Sequence, residues 1–207
     1  MSEQDWLVKD SGKFISLSSP RDWDLLNSFS SYRLYHFLIE LDNIVIDVDG
    51  KQEVEDEYLL KLRYLTRKLI INTNWISTNI SVPNKGVDIS VLYDEPGYPY
   101  TLQREIMLPG NSTFIHNHGT WAVVATLQGM QKNILWKPSP SLEYPNKIEK
   151  ASEKIFQPGD IVSFTTDAIH SVEAIGDEPS ITLNIYGETN ALKRLKFDIN
   201  DNCAHRF

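Results

Sequence analysis

Gly110-Asn-Ser-Thr-Phe-Ile-His116-Asn-His118-Gly-Thr-Trp-Ala-Val-Val-Ala-Thr-Leu-Gln-Gly129 is the stretch around which the rest of the chain must be arranged. His116 and His118 are two residues apart, a spacing that puts both imidazoles on one face of a β-strand. A third histidine, His170, sits in Asp160-Ile-Val-Ser-Phe-Thr-Thr-Asp-Ala-Ile-His170-Ser-Val, a segment of the same apolar and β-branched character. Closed into a small barrel, strands of this kind aim three neutral nitrogens at one interior point. Such a set holds a divalent transition metal and leaves coordination positions open.

Working outward, residues 75–207 read as strands broken by turns: Asp88–Tyr93, Tyr100–Leu108, Thr113–His118, Ala122–Leu127, Gln131–Trp136, Lys154–Phe156, Ile161–Phe164, Ile169–Ile175 and Ser180–Tyr186. Many short strands with turn residues between them predict an all-β barrel or sandwich. Residues 137–153, polar and proline-rich, read as a surface loop. The first 74 residues have a different period. Ser19, Pro20 and Asp22 mark a helix start, after which Leu25, Phe29, Tyr32, His36 and Ile39 recur at helical spacing, ending at an Asp49-Gly50 turn. A second helix is predicted from Val54 to Leu69, with Tyr58, Leu62, Leu65 and Leu69 as its apolar stripe and Arg67 and Lys68 at its negative end. Residues 1–17 give no assignment. The organisation expected is one structural domain: a helical portion, 1–74, packed on the outside of a barrel and tail, 75–207.

Composition narrows the function classes. The 207 residues are 41% hydrophobic and 23% charged, with a net charge of −8, which is globular composition. No basic stripe suggests a nucleic-acid partner. No apolar run approaches the roughly 20 residues that span a bilayer, and the N-terminus has no secretory pattern. Cys203 is the only cysteine, so no intramolecular disulfide forms, as suits a reducing compartment. A cytoplasmic protein with a small-molecule substrate is expected. The oligomeric state stays open, a homodimer included.

Gly110, His116-x-His118 and Gly129, followed by Pro158-Gly159-Asp160 and His170, resemble the two motifs of the cupins. The resemblance implies a double-stranded β-helix, a jelly-roll of two antiparallel sheets around a metal. Within the cupins, three features are similar to the cysteine dioxygenase branch and its bacterial thiol dioxygenases: His116-Asn-His-Gly-Thr-Trp121, Ile181-Thr-Leu-Asn-Ile-Tyr186-Gly187, and the tail Leu195-Lys-Phe-Asp198. The glutamate that many cupins carry four or five residues after the second histidine is missing; Ala122 and Val123 stand there. The resemblance therefore implies a three-histidine site for Fe(II), with zinc or nickel as alternatives, that brings a small thiol together with O2 and yields a sulfinate.

Two departures bear on that reading. The branch has a Ser-His-Tyr relay where this chain has Thr182, Asn184 and Tyr186. Asn184 can hydrogen-bond a phenol but cannot take up its proton. The branch also holds its substrate carboxylate with an arginine on an early strand, where Asp88, Ile89 and Ser90 stand here. Arg104 on the next strand is the candidate substitute, with Glu105 on the opposite face, and the substrate is expected not to be anchored like cysteine. Gln103 and Gln128 read as surface residues, Trp121 as packing and His36 as a satisfied packing residue. Two other function classes stay open: a non-redox metal enzyme, hydrolase or isomerase, using a zinc-bound water, and a cupin that binds a metal or small ligand without turnover.

Overall fold

The computed structural model describes residues 4–19, 25–26, 32–46, 55–73 and 81–207. Two helices are described in full, α1 (Leu34–Ile46) and α2 (Glu55–Asn72). The strands are β1 (Asp5–Val8), β2 (Phe14–Leu17), β3 (Val87–Asp94), β4 (Tyr100–Met107), β5 (Ile115–His116), β6 (Ala122–Gln128) and β7 (Met130–Pro138). They continue with β8 (Ile148–Phe156), β9 (Ile161–Phe164), β10 (Ile169–Ile175), β11 (Ser180–Gly187), β12 (Leu195–Asp198) and β13 (Cys203–Arg206). One sheet runs β2-β1-β9-β6-β11-β4-β3 and the other β13-β12-β5-β10-β7-β8. This is a two-sheet jelly-roll, with α1 and α2 packed outside it.

Strict alternation along the seven-stranded sheet makes the two sides different. On β4, Tyr100 and Leu102 face the helices; on β11, Leu183 and Ile185 do; on β6, Val123 and Ala125 do. These residues form one buried cluster with Phe37 and Leu41 of α1 and with Tyr58, Leu62, Leu65 and Leu69 of α2. Each fully buried Leu or Phe contributes about 1.5–3 kcal/mol, so this layer is the main apolar core. Polar contacts fix the helices on the sheet: Tyr100 Oη donates to Asp42 Oδ1 at 2.6 Å, and Lys68 Nζ pairs with Glu40 at 2.7 Å.

The structure revises several sequence expectations. The α2 stripe is buried as expected, but the helix runs on to Asn72, so Arg67 is not a terminal charge. Arg67 is fully buried and ion-paired with Asp5 of β1, and it also donates to the Gly159 carbonyl at 3.1 Å. Asp5–Val8 pairs in parallel with Ile161–Phe164. Residues expected to belong to a helical portion, or left unassigned, therefore supply two strands of the larger sheet. On α1, Phe37 and Leu41 are buried while Ile39 is 58% exposed, so the apolar face is turned from the one the spacing suggested. His36 stacks on Tyr32, and its Nδ1 accepts from the Arg33 backbone N–H at 3.0 Å. The loop expected over 137–153 gives way at Ile148 to β8, an edge strand whose exposed charges include Glu149, paired with Lys137 of β7, and the pair Lys150–Glu153. Charged edges resist pairing with other chains, and the same charges conceal the strand's period. The expected helix start at Pro20 and Asp22, Phe29, the Asp49-Gly50 turn, Val54 and the period change near Trp75 lie outside the described residues.

Candidate metal centre

β5, β10 and β12 place the histidines. His170 of β10 and Lys196 of β12 both pair with His116 of β5. The strand ends at His116, so His118 reaches the site from the segment just beyond it rather than from the strand face. Two local devices hold that segment. Asn117 accepts the Leu195 backbone N–H on Oδ1 at 2.7 Å, and its own N–H donates to the Leu195 carbonyl at 3.1 Å. Gly119 has φ +66°, and a Cβ there would lie 2.8 Å from the Asn190 carbonyl oxygen and 2.9 Å from the Arg194 nitrogen. Only glycine accepts both that conformation and that approach. The result is to press residues 190–195 against the histidine strand.

The three imidazoles converge, with ring centroids 4.7–5.2 Å apart. One ligand atom from each lies within 4.8 Å of the others. His118 Nε2 and His170 Nε2 are 3.1 Å apart. Nitrogens about 2.0–2.1 Å from a shared ion stand roughly 3 Å apart when they are neighbours in its coordination sphere, so the donor set fits a metal. Outer partners fix two of the rings. His116 Nδ1 is 2.9 Å from the Phe114 carbonyl oxygen and His170 Nδ1 is 3.1 Å from Asn133 Oδ1. Each Nδ1–H donates outward and leaves Nε2 as a lone pair toward the centre, the usual second-layer arrangement of histidine ligands. Burial, reinforced by the neighbouring histidines, holds the His118 and His170 pKa values well below the ordinary range. Both are therefore neutral at pH 7 and ready to bind a cation.

Beside the histidines opens a cavity of about 360 Å3. Alternate residues of β4, Thr101, Gln103 and Glu105, line it, and in the β4–β11 ladder they lie opposite Tyr186, Asn184 and Thr182. Tyr186 also faces His118, with ring centroids 5.0 Å apart. Burial and the nearby Glu105 raise the phenol's pKa, so Tyr186 is a donor at any physiological pH. Burial drives the Glu105 carboxyl up to about 7. The structure thus brings Thr182, Asn184 and Tyr186 beside the three histidines, but it does not bring Arg104 there. Arg104 stands opposite Leu183, a residue of the helix-side core, and is absent from the cavity wall. Trp121 packs edge-on against Tyr58 of α2, as a packing residue should.

Three wall residues escaped the sequence reading. Glu105 was assigned a face only relative to Arg104, and Gln103 read as surface. Arg194 enters from the loop before β12, lines the cavity, and stacks its guanidinium over Phe207 at 4.2 Å. A cation thus lines the cavity, brought there from a segment far along the chain from residues 88–90. Its Arg-x-x-Phe-Asp context was visible, but only tertiary closure through Gly119 brings it to the site.

No family model matches the sequence, and no curated protein matches it. Among solved structures the chain is similar to peruvianin-I, a cysteine peptidase from Thevetia peruviana latex, at 16% identity over 53% of this chain and 66% of that chain, with a TM-score of 0.40. It is also similar to a cupin superfamily protein from Desulfitobacterium hafniense DCB-2, at 14% identity over 54% of this chain and 85% of that one, TM-score 0.42. Oxalate oxidase in complex with the substrate analogue glycolate gives 14% identity over 58% of this chain and 61% of that one, TM-score 0.42. The chain spans less than two thirds of peruvianin-I and of oxalate oxidase. Likenesses this low carry no argument about chemistry, and the fold rests on the strand order itself.

Proposed function

We propose that the chain is a metal-dependent, thiol-dioxygenase-like cupin enzyme that oxidises a small thiol with O2, holding Fe(II) on His116, His118 and His170. The observation that carries this reading is the convergence of three imidazoles beside an open cavity, with no carboxylate in the ligand group among the described residues. Iron bound there supplies the place where a thiol and dioxygen meet, and the balanced reaction adds both oxygen atoms to the sulfur, R–SH + O2 giving R–SO2H. The chain's own residues orient and shield. Arg194 offers a fixed cation to an anionic part of the substrate. Tyr186, kept protonated, donates a hydrogen bond toward the reacting end. Phe114, Phe207, Val87 and Ile89 give the mouth an apolar rim that limits water.

The test is elemental analysis of protein purified without added metal, combined with oxygen uptake over a panel of small thiols. Iron at one per chain and thiol-dependent uptake are expected, and His118→Ala should lose both. Retained stoichiometric metal in that variant would sink the ligand assignment. Zinc or nickel with no uptake after iron loading would favour the hydrolase, isomerase or pure binding reading. No described helix is long and apolar enough to cross a bilayer.

A further inference from the structure

The wall of the histidine cavity is held unevenly. Arg194 and Phe207 both line it, but the backbone beneath them is anchored in different ways. β12 is fixed on its inner side: it pairs with β5 at His116 and Ile115, and Leu195 exchanges two hydrogen bonds with Asn117. Arg194 is tied as well, its backbone N–H donating to the Asn190 carbonyl at 3.1 Å. β13 pairs with β12 alone and forms the edge of its sheet. The turn after Asp198, whose Oδ1 accepts from the Asn200 backbone N–H at 2.8 Å, closes one end of this hairpin. Phe207 lies at the other end, one residue past the last pair, Leu195 with Arg206. That is the end of a hairpin that frays first. The Phe207 ring rests on other rings and one cation. It stands edge-on to Phe114 and to His116, with centroids 4.8 and 6.2 Å away, and the Arg194 guanidinium lies 4.2 Å from its centre. Phe207 and Phe114 are 42% and 43% exposed, so their contact buries little apolar surface and opens at small cost. A cation over an aromatic face near solvent is also a weak attachment.

We propose that Phe207 is the gate of the histidine cavity, latched by Phe114 and Arg194, and that it selects by size what reaches the histidines. Closed, the ring narrows the mouth beside His116. To open, the outer pair of the hairpin releases and the ring swings off Phe114. β12, Arg194 and the three histidines stay where they are, because their own anchors do not pass through β13. A gate of this kind speeds or slows entry and exit together and leaves affinity nearly unchanged, whereas a fixed wall changes affinity. A small linear anion passes beside the ring, while a flat ligand the size of an aromatic ring waits for it to move. This rests on the histidines holding a metal, and not on which reaction follows.

The test follows azide and imidazole binding to the cobalt(II)-loaded protein by stopped-flow absorbance, since the visible bands of cobalt report each change of ligand. In Phe207→Ala, imidazole should bind and leave about fivefold faster or more, with its Kd within about twofold of wild type and azide rates changed by less than about twofold. Phe207→Trp should slow imidazole in both directions. Arg194→Lys keeps the charge but gives up the planar stack, so its imidazole rates should fall between those of wild type and Phe207→Ala. Should Phe207→Ala fail to fold, Phe207→Trp and Arg194→Lys carry the test. Where cobalt does not bind, carbethoxylation of His116 by diethyl pyrocarbonate, scored against His36 by mass spectrometry, reads the same gate and should also speed up in Phe207→Ala. Unchanged imidazole rates, or an unchanged His116 labelling rate, would overturn the gate. A shifted Kd with an unchanged association rate would overturn it too, by making Phe207 a wall. Equal acceleration of azide and imidazole would overturn the selection by size. Altered imidazole rates without thiol-dependent oxygen uptake would retire the oxygenase reading and keep the gate; uptake with unaltered rates would do the reverse.

Discussion

The two faces of the seven-stranded sheet follow opposite rules. Toward the helices, β4 and β11 present Tyr100, Leu102, Leu183 and Ile185 to a closely packed apolar layer in which a buried Arg67 meets a buried Asp5. Toward the barrel interior, the same strands present Thr101, Gln103, Glu105, Thr182, Asn184 and Tyr186, and Thr182 Oγ1 and Asn184 Oδ1 are buried without a partner. In most small barrels the interior is the core. Here the larger apolar cluster lies outside, beneath α1 and α2, while the interior divides between a smaller apolar cluster that includes Val162 and Phe164 and a polar part beside the histidines. Stability and chemistry are thereby assigned to alternate residues of the same strands.

That contrast can be tested from both sides. The largest effect is expected at the outer layer. Asp5→Ala leaves Arg67 buried without its carboxylate, a change that costs about 3–5 kcal/mol when a buried pair loses one member. Urea unfolding should show this loss, while the protein that remains folded still takes up metal. A cost below about 1 kcal/mol would mean that the outer layer is looser than its burial suggests.

A smaller effect, and on catalysis rather than stability, is expected inside. Tyr186→Phe should lower turnover by roughly ten- to a hundredfold, equivalent to about 1.4–2.7 kcal/mol at the transition state, with metal occupancy unchanged because the phenol is not a ligand. Oxygen consumption and elemental analysis on the same samples settle it. Unchanged turnover at full metal would make Tyr186 a packing residue and weaken the contrast.

The smallest effect is the sharpest. Thr182→Val removes a hydroxyl that has no partner and keeps the side chain's shape, so stability should change by less than about 1 kcal/mol or rise slightly. Thermal unfolding of the metal-free protein would show it. A loss of more than about 2 kcal/mol would mean that Oγ1 is satisfied in solution.

How far the sequence could be read follows from the same alternation. The α2 stripe announces itself locally and is buried as expected; the histidine pair is as visible, although the strand ends at His116 and His118 reaches the centre from the segment beyond it. Most strands between Asp88 and Tyr186 were legible because turn residues bracket them. What stayed hidden depended on facts no local pattern contains. Arg104 and Glu105 are neighbours, and a single step of register decides which of them enters the cavity. Four-residue strands such as Asp5–Val8 are too short to show a period and exist because β9 receives them. β8 carries so many charges that its alternation reads as a loop. Arg194 arrives through a backbone contact at Gly119 across some 75 residues of chain.

The parallel pairing of β1 with β9 has a consequence for how the protein is made. Asp5 finds its partner at Ile161, and the Arg67 side chain that ties β1 to α2 also reaches the Gly159 carbonyl. On a ribosome adding roughly 5–20 residues per second, the first strand emerges about 8–30 s before the strand that will receive it. During that interval Trp6, Leu7 and Val8 can pair only with β2. The jelly-roll therefore cannot close progressively from its beginning. It closes near the end of synthesis, when β9, β10 and β11 arrive in quick succession and bring His170 to the two histidines made seconds earlier. Capture of the nascent chain by hydrophobe-binding chaperones would fall in that window, and the metal would be the last component to enter.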